Sequence, residues 1–333
     1  MTKINQDTHR RLIAVVVTCN RLDKLKQTVS RLCASRPRHL TNIVIVDNAS
    51  SDGTGDWLAS QQDPRIDVIA SAQNLGGAGG FALGMERALA VHDPDWLVVM
   101  DDDGRPDVGA LAAFHDLNPE QNGWAGIAAA VYYPDGTICD MNRPSQNPFW
   151  HKAVFFRSLI GLGGRDGFHI GPDRYGATGP TDIDITSFVG FFVSAAVARE
   201  VALPDPRLFI YGDDGLYSLS LSQQNHKLVF HPAIRFEHDC STFVPGEAQT
   251  FTPLWKVYYY HRNLLILYRA AAGWLFWPLL LLILPKWFLK GCNHAGSRGM
   301  FYKLMRRAVW DGLRNDRTMT HDAVVQMSQA PVD

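Results

Sequence analysis

Three consecutive aspartates, Asp101 to Asp103, follow the apolar run "WLVVM" and are the residues whose spacing most directly indicates chemistry. On an extended backbone, Asp101 and Asp103 lie on the same side and Asp102 faces the other way. Two carboxylates on one side can hold a hard divalent cation and leave its remaining positions to phosphate oxygens. A solvated acidic turn is the alternative, and the location at the end of a strand favours the cation.

The segments before these aspartates alternate between strand-like and helix-like patterns. "LIAVVVTCN", "NIVIVDNASSDGT", "IDVIAS" and "DWLVVMDDDG" each contain a short apolar run, and apolar residues at helical spacing separate them. This alternation predicts an α/β fold with a doubly wound, mostly parallel sheet, whose ligands bind beyond the carboxyl ends of the strands. Thr18, Asn20, Asp47 and Asn48 follow two of these strands, so they should meet the aspartates along one crevice.

The glycine-rich stretch "NLGGAGGFALG" does not fit the common nucleotide fingerprints. Its glycines do not follow the first strand, as a dinucleotide-binding motif requires, and no GK[ST] sequence indicates a P-loop. A flexible strand-to-helix turn is one interpretation. The other is a close approach of the backbone to a sugar or phosphate at a helix N-terminus.

A second acidic pair, Asp213 and Asp214 in "FIYGDDGLYSLSL", lies more than a hundred residues after the first group. Acidic residues in the first turn of a helix interact favourably with the helix dipole. A neighbouring carboxylate would also raise the pKa of such a group toward the range that a general base needs. The two roles are compatible.

Composition limits the functional class. The chain has 333 residues, a formal net charge of −1 and 46% hydrophobic residues, so no global basic field indicates nucleic acid. Its five cysteines include no CxxC pair, which speaks against a disulfide framework or a structural zinc site and favours a reducing compartment. The apolar run Leu12 to Val17 is too short for a signal peptide and predicts a buried strand.

The composition changes past about Phe251, where aromatic residues and leucines lie between basic residues. The uncharged run from Ala270 to Pro285 is short for a transmembrane helix, and we expect Pro278 to interrupt it. Tryptophans flank the run and lysines and arginines follow it, which favours an interfacial segment on an anionic membrane. A helix pair that packs on the catalytic domain or on a second subunit is the open alternative.

The motifs "VVVTCNR", "IVIVDNASSDGT", "NLGGAGGFALGM" and "WLVVMDDDG", in this order, resemble the nucleotide-sugar half of a family 2 glycosyltransferase of GT-A fold. "RLFIYGDDGLYSLSLSQQNHKLVFHPAIRFEHD" resembles bacterial galactofuranosyltransferases and related rhamnosyltransferase-like enzymes. The resemblance covers roughly residues 10–265. It implies a GT-A domain over 1–250, with a nucleotide-sugar half at about 10–110 and an acceptor half at about 111–250, followed by a helical, basic and aromatic extension over 251–333.

The resemblance also implies how a metal and a donor would be bound. Asp101, Asp103 and His238 of "FEHD" would hold the metal, although the residues alone leave His238 open as a core or surface histidine. The donor would be bound by a larger group of residues beyond the strand ends and in the glycine-rich stretch. These residues are Thr18, Asn20, Arg21, Asp47, Asn48, Asn74, Gly76, Gly77 and Asp102.

For catalysis, the resemblance implies that Asp214 is the base and that Asp213 positions the acceptor. Gly190, Phe191 and Phe192 would contact the acceptor sugar, although aromatic clusters of this kind are equally expected in a core. One departure concerns the acceptor. The related enzymes carry an acidic residue and an arginine further along the helix, and "GLYSLSL" has neither.

The activity implied is that of an inverting, metal-dependent hexosyltransferase that uses Mn²⁺ or Mg²⁺. It would transfer galactofuranose from UDP-galactofuranose to a lipid-linked or polysaccharide acceptor during the synthesis of bacterial cell-surface glycans, such as cell wall or O-antigen. A rhamnosyl- or other hexosyltransferase of the same fold is one alternative. A non-catalytic nucleotide-sugar-binding subunit is the other.

The resemblance extends into the C-terminal tract, where "YYYHRNLL" suggests donor or membrane contacts by His261, Arg262 and Asn263. We expect a cytoplasmic protein that lies peripherally at the cytoplasmic face of the inner membrane. A homo-oligomer is compatible with this interpretation, and no nucleic-acid partner is expected.

Overall fold

The protein is described by a computed structural model over residues 10–160, 165–240 and 250–330. In these ranges one sheet of nine strands forms the centre of the molecule. The strands are β1 (Leu12–Thr18), β2 (Asn42–Asp47), β3 (Ile66–Ala70), β4 (Trp96–Asp101), β5 (Gly104–Pro106), β6 (Trp124–Tyr132), β7 (Thr181–Ile183), β8 (Phe191–Ser194) and β9 (Lys227–His238).

Twelve α-helices are present in the same ranges, on both faces of the sheet and in the C-terminal extension. They are α1 (Leu22–Cys33), α2 (Thr54–Ala59), α3 (Gly76–Val91), α4 (Ala110–Asp116), α5 (Lys152–Ile160), α6 (Pro172–Tyr175), α7 (Ala195–Glu200), α8 (Asp213–Gln223), α9 (Lys256–Ala272), α10 (Phe276–Lys290), α11 (Arg298–Arg314) and α12 (His321–Gln329). The four strands and three helices predicted before the aspartates are therefore confirmed.

The first half of the sheet is parallel throughout, in the order β3-β2-β1-β4. Every residue of β1 is buried, because helices cover both faces and its apolar, β-branched side chains fill both cores. The register pairs Thr18 with Asp47 and Val17 with Asp101. The carboxyl ends of β1, β2 and β4 therefore lie at one edge of the sheet.

The second half of the sheet mixes directions. β8 is antiparallel to its neighbours β4 and β6, β6 is parallel to β9, and β5 and β7 are antiparallel to β9. The pairing of β5 with β9 aligns Gly104 with His238, so the end of β9 lies beside the chain that follows the aspartates. The predicted α/β class with a doubly wound, mostly parallel sheet is confirmed.

The C-terminal extension is helical where it is described, and α9 packs along α11. Its apolar core includes Phe209 from the preceding segment, so the extension is packed on the domain. Pro278 lies in the first turn of α10, where no intrahelical partner for its nitrogen is required, so the prediction that it interrupts the apolar run is wrong. The division of the domains at residue 250 stays a prediction and falls directly after residues 241–249, outside the described ranges.

Candidate active site

The three aspartates lie at the carboxyl edge of the parallel strands, but the backbone is not extended through them. β4 ends at Asp101, and Asp102 and Asp103 lie in the turn that follows. Asp102 is buried and accepts a hydrogen bond from Thr18 Oγ1 at 2.7 Å. Arg21 Nη1 contacts both Asp103 Oδ2 at 2.5 Å and Asp102 Oδ1 at 3.4 Å. The expectation that Asp102 faces away from its neighbours is therefore wrong, because the turn brings both carboxylates to one guanidinium.

Burial and mutual repulsion change the acidities of this group. Burial, together with the charges of Asp103 and Asp102, raises the pKa of Asp101 to about 7. Burial also raises the pKa of Asp102 to about 6, against the hydrogen bond from Thr18. For Asp103, burial is outweighed by contacts with His238 and Arg21, which lower its pKa. The group therefore holds one firmly ionised carboxylate and two that a cation would help to ionise.

His238 joins this group from the end of β9. Its Nε2 lies 3.2 Å from Asp103 Oδ1, and its Nδ1 lies 2.7 Å from the side-chain oxygen of Asn142. Although burial opposes the charged form, Asp103 raises the pKa of His238 to about 10. Asn142 was not identified from the sequence, because a lone asparagine in an irregular segment carries no local pattern. Its amide nitrogen donates to Ser187 Oγ at 2.8 Å, which leaves its oxygen to accept from His238.

The predicted metal ligands Asp101, Asp103 and His238 are neighbours, and their donor atoms suit Mn²⁺ or Mg²⁺. In the described part of the chain, however, the three-residue group whose ligand atoms all lie within 4.8 Å of one another is Cys139, His238 and Cys240. Burial raises the pKa of the Cys240 thiol to about 12, which opposes a thiolate ligand. The carboxylate oxygens of Asp101 and Asp103 beside His238 are therefore the better ligands for a hard divalent cation. Arg21 and the imidazole of His238 already offset the negative charge of these carboxylates.

The predicted donor-binding residues after β2 form a connected set of hydrogen bonds. Asn48 donates to the side chain of Asn74 at 3.1 Å and to the carbonyl of Gly76 at 2.9 Å. Asp47 accepts from the Ser50 amide, and Asn20, which has a positive φ of 55°, accepts from the Ser51 amide at 2.7 Å. These bonds join the loops after β1 and β2 to the start of α3 across one crevice.

The glycines at the start of α3 differ in what surrounds them. Gly76 has φ +71°, and a Cβ there would lie 2.1 Å from the carbonyl oxygen of Phe209. Only glycine fits that approach. Gly77 has nothing within 4 Å of its Cβ position, so its face of the turn is open. The glycine-rich stretch is therefore a tight strand-to-helix turn at Gly76, with open space beside Gly77.

The segment that touches Gly76 also leads into the second acidic pair. Phe209 and Tyr211 have φ values of 64° and 70°, a left-handed conformation that is costly for side chains of this size. Asn263 of α9 is buried, and its amide nitrogen donates to the carbonyls of Leu208, Ile210 and Tyr211 at 2.8 to 2.9 Å. His261, Arg262 and Asn263 are all fully buried. The suggestion that they contact donor or membrane is wrong, because they pack inside the protein and hold this loop.

Asp213 and Asp214 form the first turn of α8, directly after this loop. Burial and the charge of Asp214 raise the pKa of Asp213 well above its usual range, and Asp101 contributes in the same direction. Burial also raises the pKa of Asp214, whose Oδ1 accepts from the amide of Gly215 at 2.6 Å. The two acidic groups, more than a hundred residues apart in the chain, are thus close enough to repel each other.

The three residues assigned to the acceptor belong to the core instead. Phe191 and Phe192 are fully buried in β8, on opposite faces of the sheet, and pack in its two apolar cores. Gly190 has φ +70°, and a Cβ there would lie 2.7 Å from the ring of Phe236. The predicted sugar contacts by Phe191 and Phe192 are therefore wrong, because β8 lies between β4 and β6 and leaves neither ring accessible.

Comparison with solved structures identifies the class of fold. The chain resembles the crystal structure of GalNAc-T7 with UDP, GalNAc and Mn²⁺, with a TM-score of 0.56 and 15% identity over 78% of this chain and 48% of that one. It also resembles S. aureus TarS 1–349, with a TM-score of 0.53 and 11% identity over 92% of this chain and 90% of that one. The fold is thus that of the GT-A glycosyltransferases.

Comparison with sequences finds one family match and several relatives. Residues 13–162 match glycosyl transferase family 2, so the chain carries a domain of this family. The galactofuranosyltransferase GlfT1 of Mycolicibacterium smegmatis is 30% identical over 62% of this chain and 64% of its own length. The enzyme of that name from Mycobacterium tuberculosis H37Rv is 32% identical over 61% and 62%. The undecaprenyl-phosphate mannosyltransferase of Micrococcus luteus is 37% identical over 28% and 38%. The matches cover less than two thirds of each of these relatives.

Proposed function

We propose that this chain is an inverting hexosyltransferase that transfers galactofuranose from UDP-galactofuranose to a lipid-linked or polysaccharide acceptor of a bacterial surface glycan. The observation that carries the proposal is the meeting of two acidic groups. Asp101 to Asp103 lie at the end of β4, and Asp213 and Asp214 begin α8. A sugar transfer requires both a place for an anionic diphosphate and its counter-cation and a carboxylate that accepts a proton.

The donor would occupy the crevice beyond β1, β2 and β4. The loops that carry Asp47, Asn48 and Asn74 are fixed to one another by hydrogen bonds, so the base and ribose would enter a site that is already formed. The open face at Gly77 leaves room for the diphosphate or sugar beside the start of α3. Arg21, which is half-exposed at the aspartates, would supply a cation for a phosphate.

Asp101, Asp103 and His238 would hold a divalent cation, Mn²⁺ or Mg²⁺. When bound, such a cation neutralises the charge that develops on a diphosphate leaving group. The side chains of the protein prepare this site, because Asn142 fixes the ring of His238 and directs its Nε2 toward Asp103. Because Arg21 contacts Asp103, that contact would have to open for Asp103 to serve as a ligand.

Asp214 would remove the proton from the acceptor hydroxyl as that oxygen attacks the anomeric carbon from the side opposite the diphosphate. Its raised pKa makes its carboxylate a stronger base than an exposed aspartate. Asp213, whose pKa is raised by burial and by the charge of Asp214, would position the acceptor beside that base.

The proposed acceptor and the proposed location in the cell are based on the C-terminal extension. By length and composition, one stretch in the described ranges, Lys256–Asn293, is long and apolar enough to cross a membrane, and 28% of its most apolar window is buried. Core helices of soluble proteins meet the same criterion. We propose peripheral contact with the cytoplasmic face of the inner membrane, because α10 exposes large apolar side chains beside lysines and arginines. A lipid-linked acceptor would then lie at the same surface.

The test is turnover of a panel of UDP-, GDP- and dTDP-sugars by the purified protein, with and without Mn²⁺. Selective turnover of UDP-galactofuranose that disappears in Asp103→Ala supports both the donor and the metal site. Turnover of GDP-mannose or dTDP-rhamnose instead would favour another hexosyltransferase. The similarity to a mannosyltransferase supports this alternative. Nucleotide-sugar binding without transfer to any acceptor would favour a non-catalytic subunit.

A further inference from the structure

A groove of about 600 Å³ lies between α10 and α11, and its lining includes none of the residues of the candidate active site. Leu284, Phe288 and Leu289 form one wall, and Val309 and Trp310 form the other. The surfaces inside the groove are almost entirely hydrocarbon, and Arg306 is the charged side chain that lines it. No part of this groove is used by the proposed transfer reaction.

The apolar side chains of the groove are open to solvent in the isolated chain. Phe288, Leu289 and Trp310 are each more than half exposed. The apolar surface continues along α10, where Leu281 and Trp277 are also more than half exposed. Soluble proteins rarely leave a contiguous surface of this kind without a partner. The groove therefore belongs to a larger face that a partner would cover.

The charges around the groove indicate an anionic partner. Between Phe276 and Arg314 the chain carries seven lysines and arginines and one acidic residue, Asp311. Asp311 is buried and accepts from Tyr258 at 2.7 Å and from Arg307 at 2.8 Å, so its charge is already compensated. Arg306 is exposed and has no carboxylate partner in the part of the chain that the structure describes.

We propose that this groove seats one hydrocarbon chain of an anionic membrane phospholipid, with Arg306 against the lipid phosphate. A hydrocarbon chain has no polar groups to satisfy, whereas an extended peptide segment would leave backbone donors and acceptors unpaired against these walls. An ion pair between Arg306 and a phosphate matches the excess of positive charge on both helices. The inference rests on the proposed membrane contact and gives it a specific lipid site.

The first experiment measures binding of the full chain to vesicles of phosphatidylcholine with and without phosphatidylglycerol. Removal of one cation near an anionic surface costs about fivefold in affinity, which is the loss expected for the control Arg298→Gln. For Arg306→Gln we expect about tenfold more, because the charge-assisted hydrogen bonds to phosphate are also lost. Equal losses in the two variants would mean that a general electrostatic attraction, and not a lipid site, explains binding.

The second experiment separates the lipid from a free phosphate. Lysophosphatidylglycerol below its micelle concentration should bind in calorimetry, and Leu289→Gln should weaken that binding at least about tenfold, since it introduces an unsatisfied polar group into the groove. Leu281→Gln, outside the groove, should leave it unchanged. Glycerol 3-phosphate, which has the head group without the chain, should not bind. Equal binding of both compounds, or of neither, would overturn the proposal.

Hydrolysis of the UDP-sugar donor in solution provides an independent readout. It should be the same in Arg306→Gln, Leu289→Gln and the wild-type protein, because neither residue belongs to the donor crevice. A protein that binds the lysophospholipid but hydrolyses no donor would contradict the proposed transferase and leave the lipid site supported.

Discussion

Arg21 offers the sharpest test of the candidate metal site, because one substitution should change two affinities in opposite directions. Its guanidinium contacts Asp103 and Asp102. A divalent cation on Asp103 must displace that contact, so Arg21 competes with the metal. Once displaced, Arg21 becomes available to the diphosphate of the donor. Arg21→Gln should therefore strengthen Mn²⁺ binding and weaken UDP binding.

The magnitude follows from charge, distance and exposure. A pair of charges about 4 Å apart interacts by about 4 kcal/mol at an effective dielectric of about 20. The side chain of Arg21 is 43% exposed, whereas that of Asp103 is 6% exposed, so solvent screens much of this attraction. A net competition of about 1 kcal/mol is reasonable, which corresponds to roughly fivefold tighter Mn²⁺ binding. Loss of charge-assisted hydrogen bonds to phosphate should weaken UDP binding about tenfold or more.

The assay is an electron paramagnetic resonance titration of free Mn²⁺ with the protein in the absence of nucleotide, followed by calorimetry of UDP with saturating Mn²⁺. Arg31→Gln is the matched control, because Arg31 carries the same charge on α1 and its Nη1 donates to the Pro106 carbonyl instead of a carboxylate. If Arg21→Gln weakens Mn²⁺ binding, or changes it no more than Arg31→Gln does, Arg21 does not compete with the metal.

Three further predictions concern the base, the tight turn and the histidine. Asp214→Asn should reduce transfer about 10²- to 10⁴-fold and leave UDP binding within about twofold. In the wild-type protein, transfer should fall on acidification at a pH above the usual pKa range of an aspartate, because burial raises the pKa of Asp214 and only its carboxylate accepts a proton. Gly76→Ala should lower the free energy of unfolding by more than about 2 kcal/mol in urea titrations, whereas Gly77→Ala should change it by less than about 1, because only the first introduces a clash and a strained φ. Asn142→Leu should weaken Mn²⁺ binding about 10- to 100-fold, and Asn142→Asp, which keeps an acceptor for the ring, should retain it; equal losses would mean a purely structural role.

The parallel half of the sheet was predictable because its signals are local. Buried strands such as β1 are continuous apolar runs, and their polar ends must meet at one edge once the strands are parallel. The roles of Phe191 and Phe192 were not predictable in this way. An aromatic pair beside a glycine looks the same in sequence whether its strand lies in the middle of a sheet or at a surface. Their burial depends on β4 and β6, which flank β8 only in the folded chain.

The same limit applies to the contacts that assemble the site. Asn142 and His238 are 96 residues apart, and no spacing rule connects an irregular segment to the end of a strand. Arg21 was identified as a donor residue from a motif, but its position on Asp103 depends on the turn that follows β4. Sequence patterns therefore predicted which loops meet, whereas the partners of individual side chains required the structure.

The extension takes part in the proposed active site as well as in the proposed membrane contact. Asn263 of α9 holds the carbonyls of the loop that has left-handed φ values at Phe209 and Tyr211, and that loop both approaches Gly76 and begins α8. α9 in turn packs along α11. Removing α10 to α12 would expose the buried face of α9 and release a strained loop beside Asp213 and Asp214. A truncated protein would therefore lose transfer for reasons unrelated to membranes, and the two roles can be separated only by surface substitutions on α10 and α11 that leave α9 intact.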